Sequence, residues 1–322
     1  MGAWEEIVDY TVPTTTGEVV ISNFGTITKD DFVKITVTQV SSVENQVTFL
    51  ANSSVTSNYH RQGLAAFGSS IVAFRQNNSV ITDMLSGSMN YFAYLKLSEN
   101  DRLNVFLNHN LRNDTDLRKT FIYTTSSGAT FPNGITSLTF QSNQTNGLGA
   151  GSRIQIYKLA AEKVADITVT SNTTQVDITG LDIKKGDEYL LVSDLLSSNS
   201  SGFELYYNNL TTSSGYYNQR IEAFSTTSFS LRENNPRYAN ALNGARHLSY
   251  INVKLSNIGS FTSQTYGIEN YGSSDIFLSN FFTSSVAENI TSISQLNVRS
   301  QSSNAIGTGT RFQLYKLYQG GN

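Results

Sequence analysis

The chain of 322 residues contains no cysteine, which removes disulfide frameworks and thiolate metal sites together. Charge is scarce as well. Asp, Glu, Lys and Arg make up 15% of the residues and sum to a formal charge of −3, against about 25% charged residues in an ordinary soluble domain. Lys and Arg never cluster, so the electrostatic footprint of a nucleic-acid binder is missing. No apolar run approaches the ~18–20 residues of a membrane-spanning helix. The opening Met-Gly-Ala-Trp-Glu-Glu lacks the basic-then-apolar pattern of a secretory leader, and Glu6 stands where a myristoylation site needs Ser or Thr. The sequence therefore predicts neither a nucleic-acid nor a membrane partner.

Ser, Thr, Asn and Gln take the place that charge leaves. Hydrophobic residues still reach 39% and aromatics 11%, more than a disordered chain carries. A packed core under a polar, weakly charged surface is expected. Eight Asn-x-Ser/Thr sequons occur, at Asn52, Asn77, Asn113, Asn143, Asn172, Asn199, Asn209 and Asn289. In so Ser/Thr/Asn-rich a chain they are expected by chance.

The two halves of the chain match each other. Residues 151–159 read GSRIQIYKL and residues 309–317 read GTRFQLYKL. At the same offset Ile135, Leu138, Asn146, Leu148 and Gly149 correspond to Ile293, Leu296, Asn304, Ile306 and Gly307. Tyr59, Gln62, Ala66 and Phe67 match Tyr216, Gln219, Ala223 and Phe224, and Val19 and Ile21 match Val176 and Ile178. The order is kept from end to end, so the sequence predicts a duplicated domain, residues 1–160 and 161–322. The period is far too long for a solenoid repeat.

Within each half the hydrophobic period is two. Val33, Ile35 and Val37 alternate with polar residues, as do Val47, Phe49 and Ala51. Tyr91, Ala93, Leu95 and Leu97 form another such series, followed by Leu103, Val105 and Leu107. In the second half Phe203, Leu205 and Tyr207, then Ile251, Val253 and Leu255, repeat the pattern. β-Branched and aromatic residues dominate these runs, and Ser/Asn/Gly stretches separate them. About eight short strands per half follow, in an all-β chain of two tandem, duplicated antiparallel β-sandwich domains of jelly-roll-like type. Leu64–Phe67 and Thr82–Ser86 read as helical turns stopped by Gly68 and Gly87. In 153–159, Ile154 and Ile156 share one face while Tyr157 and Leu159 line the other, which places that strand inside a sheet. The junction 159–164 has neither Pro nor Gly, which predicts a tight joint between the domains.

Catalytic constellations are hard to assemble. A nucleophile needs an adjacent base, and none of His60, His109 and His247 has a histidine at the matching place in the other half. The carboxylates are sparse and sit mostly in turn contexts, so the paired acids of a glycosidase are not expected. Asn113, Asp114 and Asp116 gather oxygen donors, but no sharp-turn Gly and no closing Glu accompany them. They are weak calcium candidates, and a hydrogen-bonded loop is the expected reading. Arg75–Asn78 and Arg232–Asn235 share Arg-x-Asn-Asn, read as strand-ending turns. No enzyme activity and no cofactor are predicted.

Two features mark candidate partner surfaces. Trp4, the lone tryptophan, precedes the first strand and has Ala161 as its counterpart. It would either anchor a neighbour or cap its own core. Tyr59, Tyr216 and Tyr217 are flanked by polar residues, in the manner of tyrosines that stack on sugar rings.

The closing segments Gly151-Ser152-Arg153-Ile154-Gln155-Ile156-Tyr157 and Gly309-Thr310-Arg311-Phe312-Gln313-Leu314-Tyr315, with the opening Trp4-Glu5-Glu6-Ile7-Val8, resemble β-sandwich modules of tailed-bacteriophage virion proteins, including head-decoration and tail-fibre components. Lys158 and Lys316 depart from that pattern, which carries Gly after the Tyr. The resemblance implies a location on the virion exterior and brings no catalytic residue with it. The function expected is that of a non-enzymatic structural protein decorating or cementing the capsid. Its partners would be the major capsid protein, other virion proteins or copies of itself. The alternative is a tail or fibre protein that binds host-surface glycans.

Overall fold

A computed structural model of the chain describes residues 3–54, 58–67, 70–76, 80–84, 87–112, 117–126, 128–224, 227–271, 275–287 and 289–318. The chain divides into two compact units, one of residues 2–160 with 224–228, the other of 161–223 and 229–322 together with residue 1. Each is all-β, and each repeats the topology of the other.

The first copy begins with β1 (Trp4–Thr11), β2 (Glu18–Ile21), β3 (Val33–Ser41) and β4 (Asn45–Ala51). It continues with β5 (Tyr59–Phe67), β6 (Ser70–Gln76), β7 (Val80–Met84) and β8 (Gly87–Leu97). It closes with β9 (Leu103–Arg112), β10 (Leu117–Ser126), β11 (Leu138–Ser142) and β12 (Arg153–Leu159). The second copy opens with β13 (Glu162–Thr168), β14 (Gln175–Ile178), β15 (Ile183–Lys184), β16 (Glu188–Leu196) and β17 (Ser201–Tyr207). Then come β18 (Tyr216–Phe224), β19 (Thr227–Glu233), β20 (Arg237–Ala241), β21 (Arg246–Leu255) and β22 (Phe261–Tyr271). It ends with β23 (Asp275–Ser285), β24 (Ser292–Ile293), β25 (Leu296–Ser300) and β26 (Arg311–Tyr318).

In the first copy an eight-stranded sheet runs β1-β12-β3-β8-β9-β10-β5-β6 and a four-stranded sheet runs β2-β11-β4-β7. The second copy gives β13-β26-β16-β21-β22-β23-β18-β19 and β14-β25-β17-β20. Strand for strand these are the same two sheets. The short β15–β24 pair, Ile183 opposite Ile293, has as its first-copy counterpart the isolated bridge Ile27–Ile135. The pairings within these sheets are antiparallel.

The period-two residues face inward as expected. Val33, Ile35, Val37, Ala93, Leu95, Val105 and Leu107 of the large sheet meet Val19, Val47, Phe49, Leu138 and Phe140 of the small one in a single buried cluster. Tyr189, Leu191, Ile251, Val253 and Leu255 meet Phe203, Leu205, Leu296 and Val298 in the second copy. Each copy is thus a two-sheet sandwich with its own core, and β12 lies inside its sheet between β1 and β3.

Two expectations need correction. Strands are more numerous than eight per copy, because segments such as β1, β5 and β10 carry no clean apolar–polar alternation in the sequence. Leu64–Phe67 and Thr82–Met84 are not helical turns. They lie in β5 and β7, where pairing with β10, β6 and β4 overrides local preference. Leu85 and Ser86 fall outside the described residues, and so do Asn113, Asp114 and Asp116.

Candidate functional site

Of the tyrosines singled out from the sequence, two are core residues. Tyr59 is fully buried, its Oη accepting the Ala51 N–H at 3.1 Å and lying 2.6 Å from Ser54 Oγ. Tyr216 matches it. Its Oη accepts the Tyr207 N–H at 3.3 Å and donates to the Leu210 carbonyl at 3.2 Å, and its ring packs edge-on to Tyr206, Tyr207 and Phe261. Burial raises both phenols above their ordinary pKa. Neither ring is available to stack on a sugar. A half-buried Trp4 lies on its own large sheet, stacked against Tyr94 at 6.1 Å and tilted against Phe32 at 5.9 Å, with the Lys34 ammonium 5.9 Å from its ring.

The shared closing motif is a structural lock. Gly151 and Gly309 both hold φ of +85°, a left-handed conformation suited to glycine. The next residue ties two strands: Ser152 Oγ accepts the Val40 N–H at 2.9 Å, and Thr310 Oγ1 accepts the Leu196 N–H at 3.0 Å. Arg311 then grips Asp166 with two parallel bonds of 2.8 and 2.7 Å, which holds that carboxyl well below the usual range. Arg153 grips Asp9 in the same way. In the second Arg-x-Asn-Asn segment, Asn235 Oδ1 accepts the Arg237 N–H at 3.1 Å, the strand-ending turn expected. Asn77 and Asn78 lie outside the described residues.

Buried polar groups in the second copy are also committed to the fold. Arg220, Glu222, Glu233 and Arg237 form a chain of ion pairs at 3.2–3.7 Å, and burial raises the Glu222 carboxyl despite Arg220 beside it. His247 is fully buried, 2.8 Å from Ser249 through Nδ1. Burial takes its pKa down to about 3. With no access to solvent, this Ser–His pair has no route to a substrate. Among the described residues no group of His, Asp or Glu is arranged to hold a metal ion.

An open groove of about 730 Å³ lies in the second copy. It lies on the face of the large sheet turned away from the core. Alternation puts it there: Tyr216 and Phe281 are fully buried, while their neighbours Tyr217 and Phe282 are each 48% exposed. Those two exposed rings stand on adjacent strands, β18 and β23. Around them lie Glu188, Gln219, Arg232, Asn252, Lys254 and Gln264. Gln264 Nε2 donates to Tyr266 Oη. The sheet brings acid, base, amides and two aromatic faces into one trough, an arrangement suited to holding an extended polar ligand. Tyr217 was within reach of the sequence. Phe282 and Arg232 were not recognised as groove residues, although alternation through Phe281-Phe282 and Tyr216-Tyr217 is a signal that points outward.

No known protein family matches the chain, and no curated protein sequence matches it. Among solved structures, the LG1-3 region of the laminin alpha2 chain is 14% identical at a TM-score of 0.23, over 92% of this chain and 64% of that one. This chain therefore spans less than two thirds of the laminin fragment. A fragment of Extended-Synaptotagmin 2 comprising two of its C2 domains gives 10% identity and a TM-score of 0.13, over 81% of this chain and 92% of that one. At such TM-scores neither likeness bears on function.

Proposed function

We propose that this is a non-enzymatic binding protein of a phage particle, and that the groove of its second copy recognises an oligosaccharide. One observation carries the binding reading. Tyr217 and Phe282, large rings that a sheet would ordinarily bury or cover, stand open on adjacent strands in a trough rimmed by amides and charged groups. The flat apolar faces of pyranose rings stack on such side chains, while their hydroxyls take hydrogen bonds from groups like Gln219, Asn252 and Gln264. The virion location rests on the resemblance of the closing and opening segments. A weakly charged surface suits it, since contacts made there are little affected by salt.

The test is binding of the whole chain to a panel of immobilised oligosaccharides. Tyr217→Ala and Phe282→Ala should each lower affinity at least tenfold, about 1.4 kcal/mol, with the thermal unfolding midpoint almost unchanged. Unaltered binding by both variants would remove the groove from the account.

A second reading, attachment to the capsid exterior as a decorating or cementing protein, is favoured by the duplication itself. Two sandwiches of the same topology offer two similar surfaces to two neighbouring subunits, and several modest contacts then act together.

A further inference from the structure

Resting on the oligosaccharide reading of the same groove, we infer that its ligand bears an acidic sugar at one end, seated on Tyr217 with its carboxylate or sulfate held by Arg232. Three charged side chains line the groove: Glu188, Lys254 and Arg232. They are not distributed evenly. Glu188 and Lys254 are direct cross-strand partners on β16 and β21, where opposite charges offset one another. Arg232 is alone at the far edge, on β19. Its chain neighbour Glu233 is turned to Arg220 and Arg237, and Arg232 makes no ion pair among the described residues. An uncompensated guanidinium beside an exposed tyrosine, in a chain of net charge −3, is a place for an anion.

The strand order fixes where on the ligand that anion sits. From β21 to β19 the sheet runs β21-β22-β23-β18-β19, four steps of ~4.8 Å, so Lys254 and Arg232 stand roughly 19 Å apart. No single anionic group bridges that span. Tyr217, by contrast, is on β18, next to Arg232's strand. Only a sugar at that end meets both the ring and the guanidinium. The planar fork of Arg matches a carboxylate or sulfate in two parallel hydrogen bonds, which an amide or a solvated ammonium does not reproduce.

Two probes of equal length separate the possibilities: the neutral N-acetylglucosamine hexamer, and a hexasaccharide alternating glucuronate with N-acetylglucosamine. Titrated calorimetrically into the whole chain at low salt, the acidic probe should bind about fivefold or more tightly than the neutral one. Arg232→Gln should abolish that preference, and Arg232→Lys should restore only part of it. Equal affinity for the two probes, or a preference that survives Arg232→Gln, overturns the acidic-sugar inference and leaves the oligosaccharide reading standing. A preference lost in Lys254→Gln but kept in Arg232→Gln overturns the placement at the Tyr217 end. Binding of neither probe to the wild-type chain overturns both readings.

Discussion

At the scale of single residues, neighbours in the sequence have opposite fates. Tyr216 and Phe281 are core, and Tyr217 and Phe282 are groove. The same logic makes His247 a structural group, since it faces the core while Arg246 beside it reaches Asp194 at 2.6 Å. His247 yields a pH prediction. Its folded pKa of about 3 lies below the ordinary 6.5, so the unfolded chain binds the proton more readily. Stability from this group is complete above pH 6.5 and is lost as pH falls from there toward 3. At pH 5 the loss should be roughly 2 kcal/mol. Urea unfolding at pH 7 and pH 5 should show His247→Gln with a much smaller drop than wild type. Equal drops would assign the acid sensitivity elsewhere. Glu222 works in the opposite sense, because its raised pKa costs stability as pH rises. From the sequence, His247 shows only that the other half has no histidine at the matching place. It stands in phase with the inward series Ile251, Val253 and Leu255, but polar Ser249 between them and apolar Leu248 on the other face blur the alternation, so the sheet's position in the sandwich is what reveals its burial.

At the scale of the strand, the shared form of the two closing segments has a mechanical cause within the chain. Gly turns the backbone, Ser or Thr ties the strand across to β3 or β16, and Arg ties it to the opening strand. Both opening strands also shift register at the same place, between Glu6 and Val8 and between Lys163 and Ala165. Thr310→Val removes the acceptor of the Leu196 N–H and should cost about 1–3 kcal/mol, the desolvation penalty of a buried unpaired donor. Thr310→Ser, the residue found at position 152, should cost less. Urea midpoints of the two variants decide it, and equal losses would show that the methyl rather than the hydroxyl matters. The sequon residues belong to the same scale. Asn52 uses both ends of its amide, accepting the Thr136 N–H at 2.8 Å and donating to the Gly134 carbonyl at 2.9 Å. Asn143 likewise accepts the N–H of Gln46 in β4, and Asn172 that of Thr308. These asparagine side chains tie distant segments of the fold together.

For the molecule as a whole, the duplication sets the question of attachment. If the two sandwiches engage neighbouring capsid subunits together, their contacts multiply, and a chain lacking either copy should be retained on particles far less than half as well. Retention of labelled full-length and single-copy chains on purified particles, read by sedimentation, tests this. Equal retention would rule out the two-surface mechanism, and immunogold over the tail would favour the host-glycan role alone.

The sequence by itself determined the all-β class, the duplication and the inward faces of the strands. Each is written locally: in a period of two, in β-branched and aromatic runs, or in a repeated string such as GSRIQIYKL and GTRFQLYKL. Tertiary structure decided what no local pattern encodes. Tyr59 and Tyr216 have polar neighbours yet are buried, because their hydroxyls find backbone partners inside the sandwich. Glu188, Arg232, Tyr217 and Phe282 are scattered over almost a hundred positions, and they share a groove only because antiparallel pairing lays β16, β19, β18 and β23 into one sheet. A binding face made across strands has no sequence motif, since its residues are neighbours through hydrogen-bonded register rather than through the chain.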